Sequence, residues 1–180
     1  LRACERTLRR LNVSSLDLYL LHWPGRHPIA DTMRAFETLV ARGMTRFIGV
    51  SNFDVPDLRR AQQVLRHERL ACNQVLYHLG ERAIERNLLP YCASQEIAVV
   101  AYSPFGNAPS AFPPPNTPGG RLLGEIAGCH RATPHQVVLR FLTRHAHVFA
   151  IPKAASRRHV RDNAAAGDLE LNEDEIAAID

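Results

Sequence analysis

Short apolar runs alternate with longer amphipathic runs along the chain. The apolar runs are five or six residues long and span residues 16–21, 45–50, 72–77, 98–102 and 147–152. Near-continuous apolar runs of this length are typical of strands that are buried on both faces, as in parallel sheets. The pattern therefore predicts five parallel strands with buried faces.

Helix signals occupy the segments between these runs. They consist of apolar positions at helical spacing, or of a capping residue followed by a first-turn proline. The predicted helices span residues 1–11, 30–41, 55–67, 82–95, 121–129, 134–143 and 157–165, and a further one begins at Asn172. The first four strands start about 25 to 29 residues apart, which is typical of repeated βαβ units.

This order predicts an α/β fold: a partial TIM (β/α)8 barrel of about five parallel strands with flanking helices. A complete barrel has eight strands in about 250 residues, so about three βα units are expected to be missing. The chain opens inside an amphipathic helix at Leu1, and its last predicted helix stops soon after Asn172. We therefore interpret residues 1–180 as a single incomplete barrel domain, truncated at the N-terminus and slightly at the C-terminus.

Composition and charge argue against several classes of protein. The net charge is +4, but the basic residues are interleaved with acidic ones, so we predict no nucleic-acid partner. Neither a membrane-spanning segment nor a signal peptide is visible, so we predict no membrane partner. The four cysteines have no zinc spacing and His145 and His147 lack an evident third ligand, which predicts no metal site and reduced thiols in a cytoplasmic protein.

Polar or aromatic residues follow every predicted strand. Active sites of (β/α)8 barrels lie at the C-terminal ends of the strands, so these residues are candidates for a shared site. They are His22 and Trp23, Ser51 and Asn52, Gln74, Tyr102 and Ser103, and Lys153. The Pro- and Gly-rich segment 104–120 follows the fourth strand, and we predict an active-site loop there, with a mobile surface linker as the alternative.

These strand ends resemble the aldo-keto reductase family. The similar segments follow one another in the family's order: 16–24 (LDLYLLHWP), 48–53 (IGVSNF), 73–77 (NQVLY), 102–106 (YSPFG), 151–154 (IPKA) and 159–163 (HVRDN). The resemblance covers essentially the whole chain. It implies an NADP(H)-dependent oxidoreductase that reduces small aldehydes or ketones to alcohols by hydride transfer, in a protein that is a monomer or a weak oligomer.

The resemblance implies roles for the residues of the first four strand ends. His22 would polarise the substrate carbonyl, beside Trp23 in the wall of the substrate pocket; a core histidine is the alternative. A carboxamide both donates and accepts hydrogen bonds, and the side-chain amides of asparagine and glutamine do the same. The set expected to hold the nicotinamide carboxamide is Ser51, Asn52 and Gln74, with turn chemistry as the alternative for the first two. Tyr102 would stack on the nicotinamide ring, or else be a core aromatic residue.

The remaining residues would hold the rest of the dinucleotide. Ser103 and Phe105 are expected along the pyrophosphate, and Lys153, the single lysine of the chain, at the phosphate on the adenosine ribose. Asp162 and Asn163 match positions near the adenine. His159 stands where the family often has an arginine, and a neutral imidazole binds phosphate less well than a guanidinium does. We still expect NADP(H), with Arg157 or Arg158 as compensating cations. The histidine leaves NAD(H) as the alternative.

The resemblance also implies residues that the chain lacks. The family's catalytic tyrosine, which acts as the general acid, its lysine and a supporting aspartate belong to the first three βα units. Two hypotheses follow. The parent protein is a carbonyl reductase, or the chain is a truncated non-catalytic nucleotide-binding module or gene remnant without turnover of its own.

Overall fold

Five parallel strands with flanking helices make up the fold, as predicted. The computed structural model describes residues 1–108 and 111–180. The strands are β1 (Leu16–Leu21), β2 (Thr45–Ser51), β3 (Leu70–Leu76), β4 (Ala98–Tyr102) and β5 (Val148–Ala150), and they follow one another in sequence order in one sheet. The helices are α1 (Arg2–Leu11), α2 (Ile29–Ala41), α3 (Val55–Val64), α4 (Ile84–Ser94), α5 (Pro118–Cys129), α6 (Pro134–Leu142), α7 (Arg157–Ala165) and α8 (Glu173–Ile179), with a 3₁₀ turn at Ala166–Asp168.

Capping side chains fix where several helices begin. Asp54 accepts a hydrogen bond from the backbone N–H of Asp57 at 2.8 Å and starts α3. Thr133 forms a capping box with Gln136 at the start of α6, and Ser156 accepts from the N–H of His159 at the start of α7. These groups satisfy backbone donors that have no partner inside the helix, so the predicted caps are confirmed.

Some predicted boundaries were wrong by a few residues. Helix α5 begins at Pro118 rather than at residue 121, because the hydroxyl of Thr117 caps the N–H of Gly120 and Pro118 is tolerated in the first turn. Strand β3 runs from Leu70 to Leu76, two residues earlier at its start than predicted. Strand β5 has three residues, although the N–H of Ile151 still donates to the carbonyl of Ala101 at 3.0 Å.

The chain divides into two compact units, each described here by itself. The first comprises Leu1–Val75 and Glu85–Val99, and the second Leu76–Ile84 and Val100–Asp180. In the first unit, the core contains apolar side chains of α2 and β2, among them Met33, Phe36, Ile48 and Val50. In the second unit, the core includes buried side chains of α5 and α6, among them Leu123 and Phe141.

Strand β1 does not match the prediction that the strands are buried on both faces. It pairs in parallel with β2, and Tyr19 packs against Phe36 of α2, with ring centroids 5.6 Å apart. On the other face, Leu18 and its register partner Phe47 are 41% and 51% exposed. Because Phe47 belongs to β2, which has a strand on each side, this exposure concerns one face of the sheet and not its edge; the prediction was wrong for this face at Leu18 and Phe47.

The cysteines differ strongly in burial. All four are free thiols; Cys4, Cys72 and Cys92 are buried, and Cys129 is exposed. Burial disfavours the thiolate and raises the pKa of Cys72 to about 11 and that of Cys92 to about 12. We therefore expect one thiol, Cys129, to react rapidly with Ellman's reagent in the native chain, and all four after unfolding in guanidinium. Rapid native reaction of two or more thiols would contradict this burial.

Glu37 accepts hydrogen bonds from the backbone of the loop that precedes β3. Its Oε1 accepts hydrogen bonds from the backbone N–H of Arg66 at 2.7 Å and of His67 at 2.8 Å. The bond from His67 is the largest cause that lowers the pKa of Glu37 below its ordinary 4.5. A depressed folded-state pKa stabilises the protein above pH 4.5, and that stability is lost as the pH falls through the folded-state value.

The substitution Glu37→Gln should therefore destabilise the chain by about 1 kcal/mol near neutral pH, because the charge on the acceptor is lost. The difference from the unmodified chain should shrink as the pH falls through the folded-state pKa of Glu37, which lies below 4.5. Thermal unfolding followed by circular dichroism at both pH values measures it. Glu125→Gln, at an exposed position of α5, is the control and should have little effect at either pH.

Candidate functional site

The C-terminal ends of β1, β2 and β3 meet through backbone and side-chain hydrogen bonds in the first unit. Ser51 Oγ and the backbone N–H of Asn52 both donate to the carbonyl of Gln74, each at 2.8 Å. The Asn52 side-chain amide donates to the carbonyl of His22 at 3.2 Å. Four predicted residues are thus brought together: His22, Ser51, Asn52 and Gln74.

Turn chemistry is part of the same arrangement. Asn52 has a φ of 61°, a left-handed conformation that asparagine tolerates better than most residues. Ser51 is 1% exposed, and its hydroxyl proton is directed at a backbone carbonyl. The alternative proposed for these two residues is therefore borne out as a structural role, and their binding role stays a prediction.

Asn73 holds this turn in place, a role that the sequence did not reveal. Its side chain is fully buried; the amide donates to the carbonyl of Phe53 at 2.9 Å, and the amide oxygen accepts from the N–H of Phe53 at 3.4 Å. The side chain thereby pairs with both backbone groups of one residue. An amide inside an otherwise apolar strand was the available signal.

His22 and Trp23 are both exposed beyond the end of β1. Their rings are nearly parallel, with an interplanar angle of 10° and centroids 6.2 Å apart. Trp23 is 58% exposed. The alternative of a core histidine was therefore wrong, because the His22 imidazole lies at the surface of this unit where a ligand can reach it.

A tight turn follows β4 in the second unit. Ser103 and Gly106 have positive φ values of 52° and 82°, and the N–H of Gly106 donates to the carbonyl of Ser103 at 2.7 Å. A positive φ at a serine is uncommon and is retained where the surroundings enforce it. Tyr102 is half-buried, whereas the alternative of a core aromatic residue requires full burial.

The loop predicted over residues 104–120 is shorter than expected. Pro118, Gly119 and Gly120 form the first turn of α5. Gly120 is required there, since a Cβ at this position would lie 1.9 Å from the carbonyl oxygen of Pro114. Residues 109 and 110 of this loop lie outside the described part of the chain.

A cavity of about 380 Å³ in the second unit gathers five of the predicted cofactor residues. They come from the turn after β4, the segment after β5 and helix α7, and are Phe105, Lys153, His159, Asp162 and Asn163. Thr133, His135 and Arg158 complete the lining. Arg158 was one of the two arginines considered as compensating cations; Arg157, Tyr102 and Ser103 are not among the lining residues.

The cavity is suited to an anion. Lys153 and Arg158 bring permanent positive charges, and the Nε of Arg158 lies 3.7 Å from the carboxylate of Asp162. The N-terminus of the nine-residue helix α7 begins beside Lys153, and the helix dipole favours negative charge there. These features favour an anion electrostatically, and the binding of a phosphate here stays a prediction.

Aromatic contacts fix the orientation of His135 at the cavity wall. The Phe112 ring stacks on its imidazole at 4.2 Å with an interplanar angle of 8°, and the Phe105 ring meets it edge-on at 4.7 Å. Burial, followed by the charge of His159, lowers the pKa of His135 below its ordinary 6.5. The sequence did not mark His135, because a histidine in the first turn of a helix is unremarkable by itself.

A larger cavity lies elsewhere in the first unit. It has a volume of about 700 Å³ and is lined mainly by charged and polar residues of the segments before β3 and β4, including the Arg69–Glu96 ion pair. The N-terminal ends of barrel strands are generally concerned with stability.

Within residues 1–108 and 111–180 there is no grouping of three or more His, Cys, Asp or Glu side chains suited to a metal ion. No helix in those ranges is long and apolar enough to span a membrane.

Comparison with known proteins identifies the family. The model of the aldo/keto reductase family matches residues 1–180, which is the entire chain. The chain belongs to this family. Among curated members, this aldo/keto reductase chain is 43% identical to the methylglyoxal reductase YeaE of Escherichia coli and 36% identical to the glyoxal reductase of Bacillus subtilis. Both alignments take in all of the chain.

Solved aldo/keto reductases share the fold. The chain superimposes on the Klebsiella pneumoniae enzyme, whose structure was solved in complex with NADPH, with a TM-score of 0.91 and 43% identity. That alignment covers 99% of this chain and 62% of the Klebsiella chain. The chain likewise spans 63% of the E. coli relative and 61% of the B. subtilis relative. The predicted barrel family is thus confirmed.

Proposed function

We propose that this chain binds NADP(H) and orients the carbonyl group of an aldehyde or ketone in an NADP(H)-dependent reduction. The observation that carries the proposal is the cavity of about 380 Å³, which brings Lys153, Arg158 and His159 to the N-terminus of α7. A nucleotide with a phosphate on its adenosine ribose fits this donor set, because cations and free helix N–H groups bind phosphate. The NADPH bound to the Klebsiella enzyme supports the same cofactor.

The remaining residues are assigned by the same proposal. Asp162 and Asn163 would bind the adenosine, and Ser103 and Phe105 the pyrophosphate. Tyr102 would stack on the nicotinamide ring, whose carboxamide would be held by three side chains of the first unit: Ser51, Asn52 and Gln74. Because amide side chains both donate and accept, they can pair with a carboxamide.

The bound nicotinamide would supply the hydride. His22 would donate a hydrogen bond to the substrate carbonyl oxygen and so hold the carbon ready for reduction. Trp23, stacked beside His22, would provide an apolar wall for a small carbonyl compound. The substrates named for the relatives, methylglyoxal and glyoxal, are small aldehydes of this kind.

The free thiols support a reducing compartment, and we propose the cytoplasm.

Nuclear magnetic resonance mapping tests these assignments. Addition of NADP⁺ to the isotopically labelled chain should shift the backbone amides near residues 51–52, 74, 102–105 and 153–163. Shifts confined to the larger cavity, at residues 62–70 and 94–96, would overturn the proposal. The same spectra reveal whether the chain is folded, so that absence of binding can be told from absence of structure.

We expect the chain to bind NADPH without turning over a carbonyl substrate. The general acid that the family resemblance requires has no counterpart among the residues assigned here, and a positioned general acid contributes about 10²- to 10⁴-fold to rate. The measurement is the decrease in NADPH absorbance with methylglyoxal as substrate. Robust turnover that is lost in His22→Gln would show that the chain contains its own proton donor, and would refute the non-catalytic alternative.

A further inference from the structure

Two histidines line the cavity that we assign to the adenosine phosphate. His159 lies in the first turn of α7 and His135 in the first turn of α6. The other charged groups facing them are Lys153, ahead of α7, and the Arg158–Asp162 pair on α7. Unlike these neighbours, imidazoles ordinarily titrate between pH 5 and 8.

The permanent charges around the cavity do not match a phosphate monoester. Lys153, Arg158 and Asp162 together leave one net positive charge, whereas a phosphate monoester carries about −1.5 to −2 charges near pH 7. A proton gained by one imidazole would supply the missing charge. Because charged donors bind phosphate more strongly than neutral ones, binding should favour that protonated form.

His135 is placed to take part in this exchange. The stacked ring of Phe112 and the edge-on ring of Phe105 hold its imidazole at the cavity wall. In the absence of a ligand, burial and the neighbouring His159 both oppose its protonation and lower its pKa. A bound dianion would reverse the second effect, since opposite charges within a few ångströms favour the charged form.

We propose that protonation of the His135–His159 pair sets the selectivity of this chain for a nucleotide carrying a 2′-phosphate, so that selectivity declines as the pH rises. The proposal rests on the proposed cofactor site. Its sign follows from linkage: binding raises the imidazole pKa, so affinity is greatest below the free-state pKa and falls as the pH rises through the bound-state value. The window of measurement is about pH 6.5 to 8, which lies above the pH near 6 at which the phosphate itself gains a proton.

Calorimetry with two probes tests this proposal. The 180-residue chain is titrated with adenosine 2′,5′-bisphosphate and with adenosine 5′-monophosphate, in buffers of different ionisation enthalpy, between pH 6.5 and 8. We expect uptake of about half a proton or more with the bisphosphate near pH 7, and less with the monophosphate. The ratio of the two dissociation constants should change about tenfold over the window, as one linked proton allows.

Substitutions identify the groups responsible. His159→Arg should make the ratio nearly independent of pH and reduce the proton uptake, because a guanidinium stays charged. His135→Gln should also reduce the uptake, whereas His27→Gln, at an exposed position in the first unit, should leave it unchanged. Circular dichroism checks that each variant is folded.

The outcomes separate this proposal from the previous one. Tight binding of the bisphosphate with no proton uptake and a constant ratio would overturn the histidine mechanism and leave the cofactor site intact. Failure of the folded chain to bind either nucleotide would overturn the cofactor site, and the histidine mechanism with it.

Discussion

Lys153→Met is expected to weaken the binding of NADPH about 10- to 100-fold, since a hydrogen bond to a charged group contributes about 1.5–3 kcal/mol. Lys153 lines the cavity at the start of α7, where it is one of two permanent cations. The other, Arg158, lies near the carboxylate of Asp162, which offsets its charge. NADH lacks the ribose phosphate, so its affinity should change much less.

A matched control removes the same amount of charge at a position outside the cavity. Arg161 is an exposed residue of the same helix and does not line the cavity. Arg161→Met removes one positive charge and should alter the affinity for NADPH less than threefold, because an exposed charge acts through screened, long-range attraction. Equal weakening by the two substitutions, or equal effects of Lys153→Met on NADPH and NADH, would contradict the phosphate role of Lys153.

Phe141→Ala is expected to reduce the free energy of unfolding by about 3–5 kcal/mol. Phe141 is fully buried in the second unit, and the guanidinium carbons of Arg144 and Arg82 lie 4.1 and 5.1 Å from its ring centroid. The substitution removes a large buried ring and two cation–π contacts. Because domains are stable by about 5–15 kcal/mol in all, the loss should lower the denaturation midpoint markedly.

Phe149→Ala provides the comparison. Phe149 belongs to β5 of the same unit and is 55% exposed. Removal of its ring should change the stability by about 0.5 kcal/mol or less. Urea denaturation followed by circular dichroism measures both variants. Similar midpoints for the two would contradict the burial of Phe141 and with it the position of α6 in the core.

The sequence predicted the order of elements well because local signals were strong. The caps at Asp54, Thr133 and Ser156 and the apolar runs of β1 and β4 placed those elements closely. The exposure of Leu18 and Phe47 was not predictable from hydropathy, since it depends on whether that face of the sheet is covered by other side chains. A run of apolar residues has the same appearance in the sequence whether or not its face is covered.

The sequence indicated several residues that lie together in the candidate site, whose binding role stays a prediction, but not the residues that support them. Phe105, Lys153, His159, Asp162 and Asn163 share one cavity, as their common assignment to the cofactor requires. The parts that escaped prediction act through tertiary contacts. Asn73 pairs with the backbone of Phe53, and His135 reaches the cavity through contacts with Phe105 and Phe112. Such pairings join segments that are distant in the sequence, so spacing could not show them.

Titration of NADPH and NADH with the unmodified chain, followed by nicotinamide fluorescence near pH 7, is the most direct test of the central claim. The claim is that this chain holds a dinucleotide with a phosphate on its adenosine ribose. We predict saturable binding of one NADPH per chain, with a dissociation constant at least about tenfold below that for NADH, as one charge-assisted phosphate contact allows. Absence of saturable binding by the folded chain, or equal affinities for the two cofactors, would contradict the claim.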